Sequence, residues 1–281
     1  MTSDNIESVN DLEKMKLWQR TLYLFGKYQN FEGPFYKAGY SEYKICQRIM
    51  RKKEIYCAPD IIAHTDDKKW LVMELTTDPN ADKISQVKKY ENITSDDVGH
   101  LAMNVDGKQS IIVSSYHELD VTCAQIVVSD NLLTKNTDSI TDRKLAENLD
   151  SAKGIDLTKT PSSSFLILPE SSQFEIRTSL LVSIQQMLME KGSHKSVESL
   201  IEEGLDFISG SVSAVEKKSL ASNVRIALKD LGKELREYVS FENDILTVNK
   251  NTSNALESIM KKLKTWQHNT KNSKQTTLQV D

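Results

Sequence analysis

The chain has 281 residues, with 40 acidic and 36 basic side chains and a formal net charge of −4, which gives room for one large domain or two ordinary ones. The acidic total excludes a protein coated in basic residues, so any nucleic-acid contact has to come from local cationic patches. Three cysteines, Cys46, Cys57 and Cys123, are too few and too widely spaced for a disulfide framework or a zinc knuckle. We expect a cytoplasmic protein without membrane contact, since no apolar run is long enough for a span and the polar N-terminus lacks the apolar segment of a secretory signal.

The first elements in the chain are predicted to be helical. Apolar residues recur at mainly helical spacing between residues 9 and 28, and a turn-rich segment from Phe31 to Gly39 leads to a second helix that carries Glu42. This second helix is basic. Its cations either hold phosphates or stabilise the carbonyl groups at a solvated helix end, and the sequence leaves both readings open. The basic residues of this segment are Lys37, Lys44, Arg48, Arg51, Lys52 and Lys53.

A hairpin is predicted to follow Pro59-Asp60. Residues 61 to 63 are apolar, residues 64 to 69 form a polar turn, and residues 70 to 75 are apolar again, so Asp60 opens one strand and Glu74 closes its partner. Because side chains alternate along a strand, Thr76 lies on the same side as Glu74. Two carboxylates at neighbouring strand ends repel each other unless a cation joins them, and Mg²⁺ prefers such hard oxygen ligands. The plain alternative is turn chemistry at Pro-Asp and a solvated glutamate.

The next helix is predicted to begin near Asn80 or Asp82. With about 3.6 residues per turn, Lys83, Gln86 and Tyr90 fall on one face, whereas neighbouring Lys88 and Lys89 point elsewhere. A polar and an aromatic residue four positions apart are also a common way to cover a helix face.

The order of these residues resembles the PD-(D/E)XK nuclease superfamily of restriction enzymes, Holliday-junction resolvases and RecB-like nucleases. Pro59-Asp60, Glu74, the upstream Glu42 and the downstream pair Gln86 and Tyr90 stand in the matching places, over roughly residues 35 to 130. The resemblance implies a restriction-endonuclease-like mixed sheet flanked by helices, and Mg²⁺- or Mn²⁺-dependent cleavage of DNA, with RNA left open. It implies that Asp60 and Glu74 bind the metal and that Glu42 assists through a water or a second ion. Members are commonly dimers, so a homodimer is also an expectation.

Thr76 departs from the family pattern, because it stands where the family has a lysine that orients the attacking water and stabilises developing negative charge. Some members carry a substitute lysine on a neighbouring element, and Lys83 is the candidate here. The rival is a catalytically inactive DNA-binding or regulatory protein on a nuclease-like scaffold. Thr76 favours that rival, whereas the presence of Glu42, Asp60 and Glu74 together favours the enzyme.

Further strands are predicted at residues 110 to 116, 124 to 129 and 165 to 168, since these runs of β-branched or aliphatic residues suit a buried mixed sheet. With helices at each end, five short strands indicate an α/β sandwich. Residues 130 to 164 are mostly polar, with Leu145 and Leu149 hinting at one short helix, and we predict a mobile insertion or linker there.

A second, mainly helical domain is predicted from residue 171 to 266, after a nuclease-like domain from 1 to 170. Helices are expected from about 176 to 192, 196 to 208 and 214 to 238, followed by a hairpin around Asn243-Asp244 and a last helix from 254 to 266. This order resembles a winged-helix module. Residues 267 to 281 carry no apolar pattern and are predicted to be a disordered tail.

The third helix of this domain has a cationic side opposite an apolar one, which either tracks a phosphate backbone or is an ordinary solvated face. The candidate nucleic-acid contacts of the whole chain are Lys44, Arg48, Gln86, Tyr90, Lys218, Arg225, Lys229, Lys233 and Arg236.

Overall fold

The computed structural model describes residues 3–28, 30–45, 47–77, 81–160, 171–189, 193–205, 214–248 and 256–268. Two compact units make up the chain: Glu13–Ser162 is one, and Met1–Leu12 with Ser163–Asp281 is the other. A sheet dominates the residues of the first unit, and helices dominate those of the second.

The elements up to residue 160 alternate between helices and short strands. They are α1 (Ser3–Tyr23), β1 (Lys27–Tyr28), β2 (Phe31–Glu32), α2 (Pro34–Ala38), β3 (Glu42–Ile45), β4 (Ile49–Arg51), β5 (Glu54–Cys57), β6 (Ile61–His64), β7 (Trp70–Thr76), α3 (Ala81–Tyr90), α4 (Ser95–Val98), β8 (Ser110–Ser115), β9 (Ala124–Val128), β10 (Leu132–Lys135) and α5 (Arg143–Ser151).

A six-stranded mixed sheet in the order β10-β9-β8-β7-β6-β3 forms the centre of the first unit. Strands β7, β8 and β9 are parallel, and the outer pairings are antiparallel. Every residue of β7 and β9 is buried, which is typical of strands covered on both faces. The predicted α/β class with a mixed sheet is therefore confirmed.

Helices cover both faces of this sheet. On one face, the Thr21 hydroxyl of α1 lies 2.7 Å from that of Ser114 in β8. On the other face, Ile62 of β6 and Val72 of β7 share a core cluster with Tyr90 of α3. Glu74 is two residues beyond Val72, so the pleat directs it toward α3.

The predicted basic helix around Glu42 is wrong, because Glu42–Ile45, Ile49–Arg51 and Glu54–Cys57 are the strands β3, β4 and β5. In β3 the residues Tyr43 and Ile45 are buried, while Glu42 is exposed and Lys44 half-buried. This period of two, with an aromatic and a β-branched residue inside, selects a strand. The helix was predicted from the many basic residues of the segment, and the alternation of buried and exposed residues was overlooked.

The predicted mobile insertion is also wrong over residues 130 to 160. It contains β10, α5 and short 3-10 turns at Thr137–Ser139 and Leu157–Lys159. The helix expected from Leu145 and Leu149 is present, and both residues are fully buried. The buried Asp142 caps α5 and also accepts hydrogen bonds from Tyr40 and Lys69, which fixes the segment to the sheet unit. The strand predicted at 165 to 168 lies outside the described residues.

The elements of the second unit follow the predicted order, with one addition. They are α6 (Gln173–Met189), β11 (His194–Ser196), α7 (Val197–Leu205), α8 (Ala214–Glu234), β12 (Val239–Glu242), β13 (Ile245–Val248) and α9 (Leu256–His268). Strand β11 was not predicted, and it completes a three-stranded sheet in the order β11-β13-β12. The hairpin is confirmed: Asn243 and Asp244 have φ values of 50° and 62°, as a two-residue turn requires. The predicted tail begins at residue 267, but residues 267 and 268 still belong to α9, and the rest of it lies outside the described residues.

Candidate functional site

Asp60 and Glu74 meet at the open end of the β6–β7 hairpin. Strand β6 pairs with β7 so that Ile61 is opposite Met73, and one further step of this register places Asp60 opposite Glu74. The Asp60 Oδ2 atom accepts a hydrogen bond of 2.7 Å from the Leu75 amide. The hairpin closes at its other end, where the Thr65 amide donates to the Lys69 carbonyl. The predicted hairpin is thus present, and its register brings the two acidic residues to the same end.

Two side chains of helix α3 contact the Glu74 carboxylate. The Tyr90 hydroxyl donates a short hydrogen bond to Glu74 Oε2, and the Gln86 amide nitrogen lies 3.4 Å from the same oxygen. Gln86 also donates to the Ala58 carbonyl at 3.0 Å and lies 2.9 Å from the Tyr90 hydroxyl. With Glu74 only 1% exposed, these contacts fix the direction in which its carboxylate points.

The pKa of Tyr90 is raised, chiefly by burial and then by the negative charge of Glu74 and the hydrogen bond to it. Asp60 raises the pKa further through its charge. Tyr90 is therefore a protonated donor near neutral pH, and both carboxylates act on the same hydroxyl. Two acids that share one electrostatic neighbourhood repel each other, which a cation between them would relieve.

The donor set suits a hard divalent cation. Among the described residues, no group of three or more histidine, cysteine, aspartate or glutamate side chains is placed to hold a metal. Zinc sites usually need three or four such ligands. Mg²⁺ is commonly bound by one or two carboxylates, with waters and substrate phosphates completing its shell. Asp60 and Glu74 fit that smaller requirement.

Thr76 is the last residue of β7 and is 7% exposed. It pairs with Ser115 of β8 and lies on the Glu74 side of the strand. The side chain of Lys83, the proposed substitute cation, lies outside the described part of the chain. Its position in α3 is three residues before Gln86 and seven before Tyr90, which is the same helical stripe. Lys88 and Lys89 are exposed, as the helical spacing predicts.

Glu42 does not belong to this site. It lies on β3 opposite His64, its side chain is 74% exposed, and its carboxylate is 3.3 Å from the His64 ring. His64 ends β6 and Asp60 precedes it by four residues, so the two ends are about 13 Å apart at 3.3 Å per residue. The prediction that Glu42 assists catalysis is therefore corrected, and His64 faces Glu42 at that distant end.

The predicted nucleic-acid contacts in the first unit differ in exposure. Lys44 is half-buried on β3, and Arg48 is exposed before β4. Gln86 is half-buried, whereas Tyr90 is fully buried and directed at Glu74. Tyr90 thus orients the carboxylate instead of offering a surface for DNA. The Ala58 carbonyl that holds Gln86 has no signal in the sequence, because any residue supplies such a carbonyl.

The cationic stripe of the second unit is partly neutralised. Arg225 makes two hydrogen bonds to Asp244, at 2.9 and 2.7 Å, and Lys233 lies 3.1 Å from Asp230. Arg236 follows the end of α8. Lys218, Lys229 and Arg236 are exposed and make no ion pair within the part of the chain that the structure describes. The sequence predicts the cationic side of this helix, but the pairing of its cations with Asp230 and Asp244 depends on the three-dimensional arrangement.

Comparisons of the chain with protein-family models, with curated proteins and with solved structures gave no match. Within the described ranges, no helix has the length and apolar character that a membrane crossing requires. Geometry and chemistry at the β6–β7 hairpin therefore carry the functional argument.

Proposed function

We propose that this chain is a metal-dependent DNA endonuclease with a PD-(D/E)XK-like first domain. The observation that carries the proposal is the meeting of Asp60 with the buried Glu74, whose carboxylate is fixed by Tyr90 and Gln86. Burying a carboxylate and fixing its direction costs free energy that a surface acid does not pay. Such an arrangement is expected where the acid has a task beyond folding.

Asp60 and Glu74 would hold Mg²⁺ or Mn²⁺, which lowers the pKa of a bound water and neutralises charge that develops on a phosphodiester. The chain's own residues orient this pair. Leu75 fixes one Asp60 oxygen through its amide, and Tyr90 fixes Glu74 without adding charge. Lys83 is proposed as the cation in place of the family lysine, because its helical position shares a stripe with Gln86 and Tyr90.

The second unit is proposed as a winged-helix-like DNA-binding domain. Its order of helix, strand, two helices and a two-stranded hairpin supports this proposal. Lys218, Lys229 and Arg236 are the cations proposed for phosphate contact, because acids of the described chain do not pair with them. Arg225 and Lys233 contribute less, since each already faces an aspartate.

One observation favours a second candidate, a non-catalytic DNA-binding or regulatory protein. Thr76 is neutral and buried at the end of β7, so it supplies no positive charge to a developing phosphorane. The arrangement of Tyr90 and Gln86 around Glu74 weighs against this candidate, because a binding protein has no need for an oriented buried carboxylate.

The deciding experiment is a cleavage assay on supercoiled, linear, single-stranded and branched DNA and on RNA, with Mg²⁺ or Mn²⁺. We expect Asp60→Asn and Glu74→Gln each to lower metal-dependent cleavage by at least about a hundredfold, since each removes a metal ligand. Glu42→Gln is the matched control, because this exposed acid lies at the far end of β6, and it should cleave like the wild type.

The results of the cleavage assay distinguish the two candidate functions. Cleavage that persists unchanged in both site variants would refute the proposed metal site. DNA binding by the wild type without cleavage under any metal condition would establish the regulatory candidate. Preferential cleavage of RNA would make RNA the substrate and would still support the proposed metal site.

A further inference from the structure

The β4–β5 hairpin carries two lysines in an unfavourable turn. Arg51 pairs with Glu54, so the loop consists of Lys52 and Lys53 alone, with φ values of 51° and 70°. A two-residue turn with positive φ at both positions prefers Asn-Gly, because a side chain with a Cβ is strained in the left-handed region. Cations at this turn therefore come at a conformational cost that the fold does not require.

An apolar pair stands next to these lysines. Met50 and Ile55 face each other across the hairpin and are 46% and 54% exposed. They are two of the four large apolar residues that are exposed in the described chain. Two apolar side chains beside two cations form a surface that the interior of this chain does not use.

The base of the β4–β5 hairpin packs against residues of the candidate site. Ile49 and Cys57 belong to the core cluster that contains Tyr90. The Arg51 guanidinium lies 4.0 Å from the centre of the Tyr56 ring and hydrogen-bonds to Asp97 at 2.9 Å. The Tyr56 hydroxyl donates to the Lys89 carbonyl at 3.3 Å. These contacts fix the orientation of the β4–β5 hairpin. Asp60 follows the last residue of the hairpin by three positions.

The charges of the β4–β5 hairpin favour a polyanion as its binding partner. Residues 48 to 55 contain Arg48, Arg51, Lys52, Lys53 and one acid, Glu54. Arg51 is occupied by Asp97, so Arg48 and the two turn lysines supply the excess positive charge. A protein partner fits less well, because two apolar side chains are far smaller than the roughly 800 Å² per partner of a stable interface.

We propose that the β4–β5 hairpin enters duplex DNA beside the candidate site, with Lys52 and Lys53 on phosphates and Met50 and Ile55 as a wedge at a base step. Methionine and isoleucine are among the residues that proteins insert between base steps, partly unstacking them. Such a wedge would deform the duplex next to the proposed centre. This inference rests on the proposed function for its substrate class, and DNA binding tests it independently of cleavage.

The experiment uses the full chain without Mg²⁺ and a set of short duplexes with 2-aminopurine at successive positions. Wild-type binding should raise 2-aminopurine fluorescence at some positions, and Met50→Ser with Ile55→Ser should remove most of this rise. Lys52→Asn with Lys53→Gly removes both cations while giving the turn its preferred residues, so stability should be kept or improved. We expect that variant to bind roughly tenfold to thirtyfold more weakly near 0.15 M salt and to lower the salt slope by about two.

Matched controls are available elsewhere on the sheet. Leu133→Ser removes an apolar residue that is 43% exposed on the edge strand β10, and Lys68→Asn changes a turn lysine with a φ of 65° at the closed end of the β6–β7 hairpin. Both should bind and unstack DNA as the wild type does.

Hairpin variants that match the wild type in binding and fluorescence would overturn the inference, even if the protein cleaves DNA. Binding without any rise in fluorescence would refute the wedge. An effect of the hairpin variants in a protein that never cleaves would support the hairpin and refute the nuclease. A wild type that binds no duplex would refute the hairpin inference, while the cleavage assay with metal would still decide on the nuclease.

Discussion

The residue that decides between cleavage and binding is Thr76, together with the lysine proposed to compensate for it. A threonine hydroxyl can position a water weakly, but it carries no charge to oppose a phosphorane. Strand β7 ends at this residue, so the nearest element that can bring a cation to the same side is α3, which also holds Glu74 through Gln86 and Tyr90. The helical stripe that contains Gln86 and Tyr90 reaches position 83 one turn earlier.

Lys83→Ala should lower the rate of metal-dependent cleavage by about a hundredfold or more, because removal of one group that stabilises transition-state charge costs that much. Alanine keeps the helix intact, since it has the highest helix propensity. Lys88→Ala is the matched control in the same helix, where the side chain is exposed, and it should leave the rate unchanged. Single-turnover rates at saturating metal give the comparison, and equal effects of the two substitutions would contradict the assignment.

At the scale of elements, the sequence predicts best where the pattern is local. The β6–β7 and β12–β13 hairpins follow from apolar runs that flank a polar turn, and register alone then brings Asp60 opposite Glu74. The strand β3 was missed because the cations of the wider segment from residue 44 to 53 indicated one basic helix, which hid the alternation of the buried Tyr43 and Ile45.

Partners that are distant in sequence could not be predicted. Asp142 joins Tyr40 and Lys69 to the start of α5, and this long-range contact makes an ordered segment out of a polar one. The Arg51–Asp97 pair likewise depends on how the β4–β5 hairpin meets α4. None of these three pairs has a sequence separation that the periodicity of a helix or strand would reveal.

The anchor of the β4–β5 hairpin should depend on pH. The Arg51 guanidinium, followed by the Thr94 amide and hydroxyl, holds the pKa of Asp97 well below its usual range. A lowered pKa means that Asp97 contributes its full stability above about pH 5 and loses it as the pH falls through the unfolded value near 3.9 toward the folded one. Asp97→Asn should therefore cost about 1–2 kcal/mol at pH 7, where it removes the charged partner of Arg51 and weakens the capping box with Thr94, and less at pH 3.

Urea denaturation of the wild type and of Asp97→Asn at both pH values measures this difference. In an Arg51→Met background, the pH dependence of the same substitution should shrink, because the main cause of the lowered pKa is gone. A cost of Asp97→Asn that is equal at pH 7 and pH 3 would show that the carboxylate is not held in its charged form.

At the scale of the whole molecule, the chain consists of two compact units, one dominated by a sheet and one by helices. The core of the second unit contains a buried charge. Arg177 of α6 is 1% exposed, and its guanidinium donates to Asp230 of α8 at 2.8 Å and to the Trp266 carbonyl of α9 at 2.7 Å. Burial lowers its pKa, which the charge of Asp230 opposes. One residue thus joins three helices. The homodimer implied by the family resemblance stays a prediction.

Asp230→Ala should destabilise the second unit by about 3 kcal/mol, because it removes the acid that the buried Arg177 guanidinium contacts at 2.8 Å. Hydrogen exchange followed by mass spectrometry reports each unit separately: protection should fall in peptides from residues 173–268 and stay unchanged in the sheet peptides from residues 61–128. Asp244→Asn is the control, since it removes the charge of an exposed pair with Arg225 and keeps a residue type that tolerates the positive φ of this turn, so protection should change little. If both substitutions change protection equally, the buried pair has no special weight in the core. If the sheet peptides also lose protection, the two units unfold together and are not independently stable.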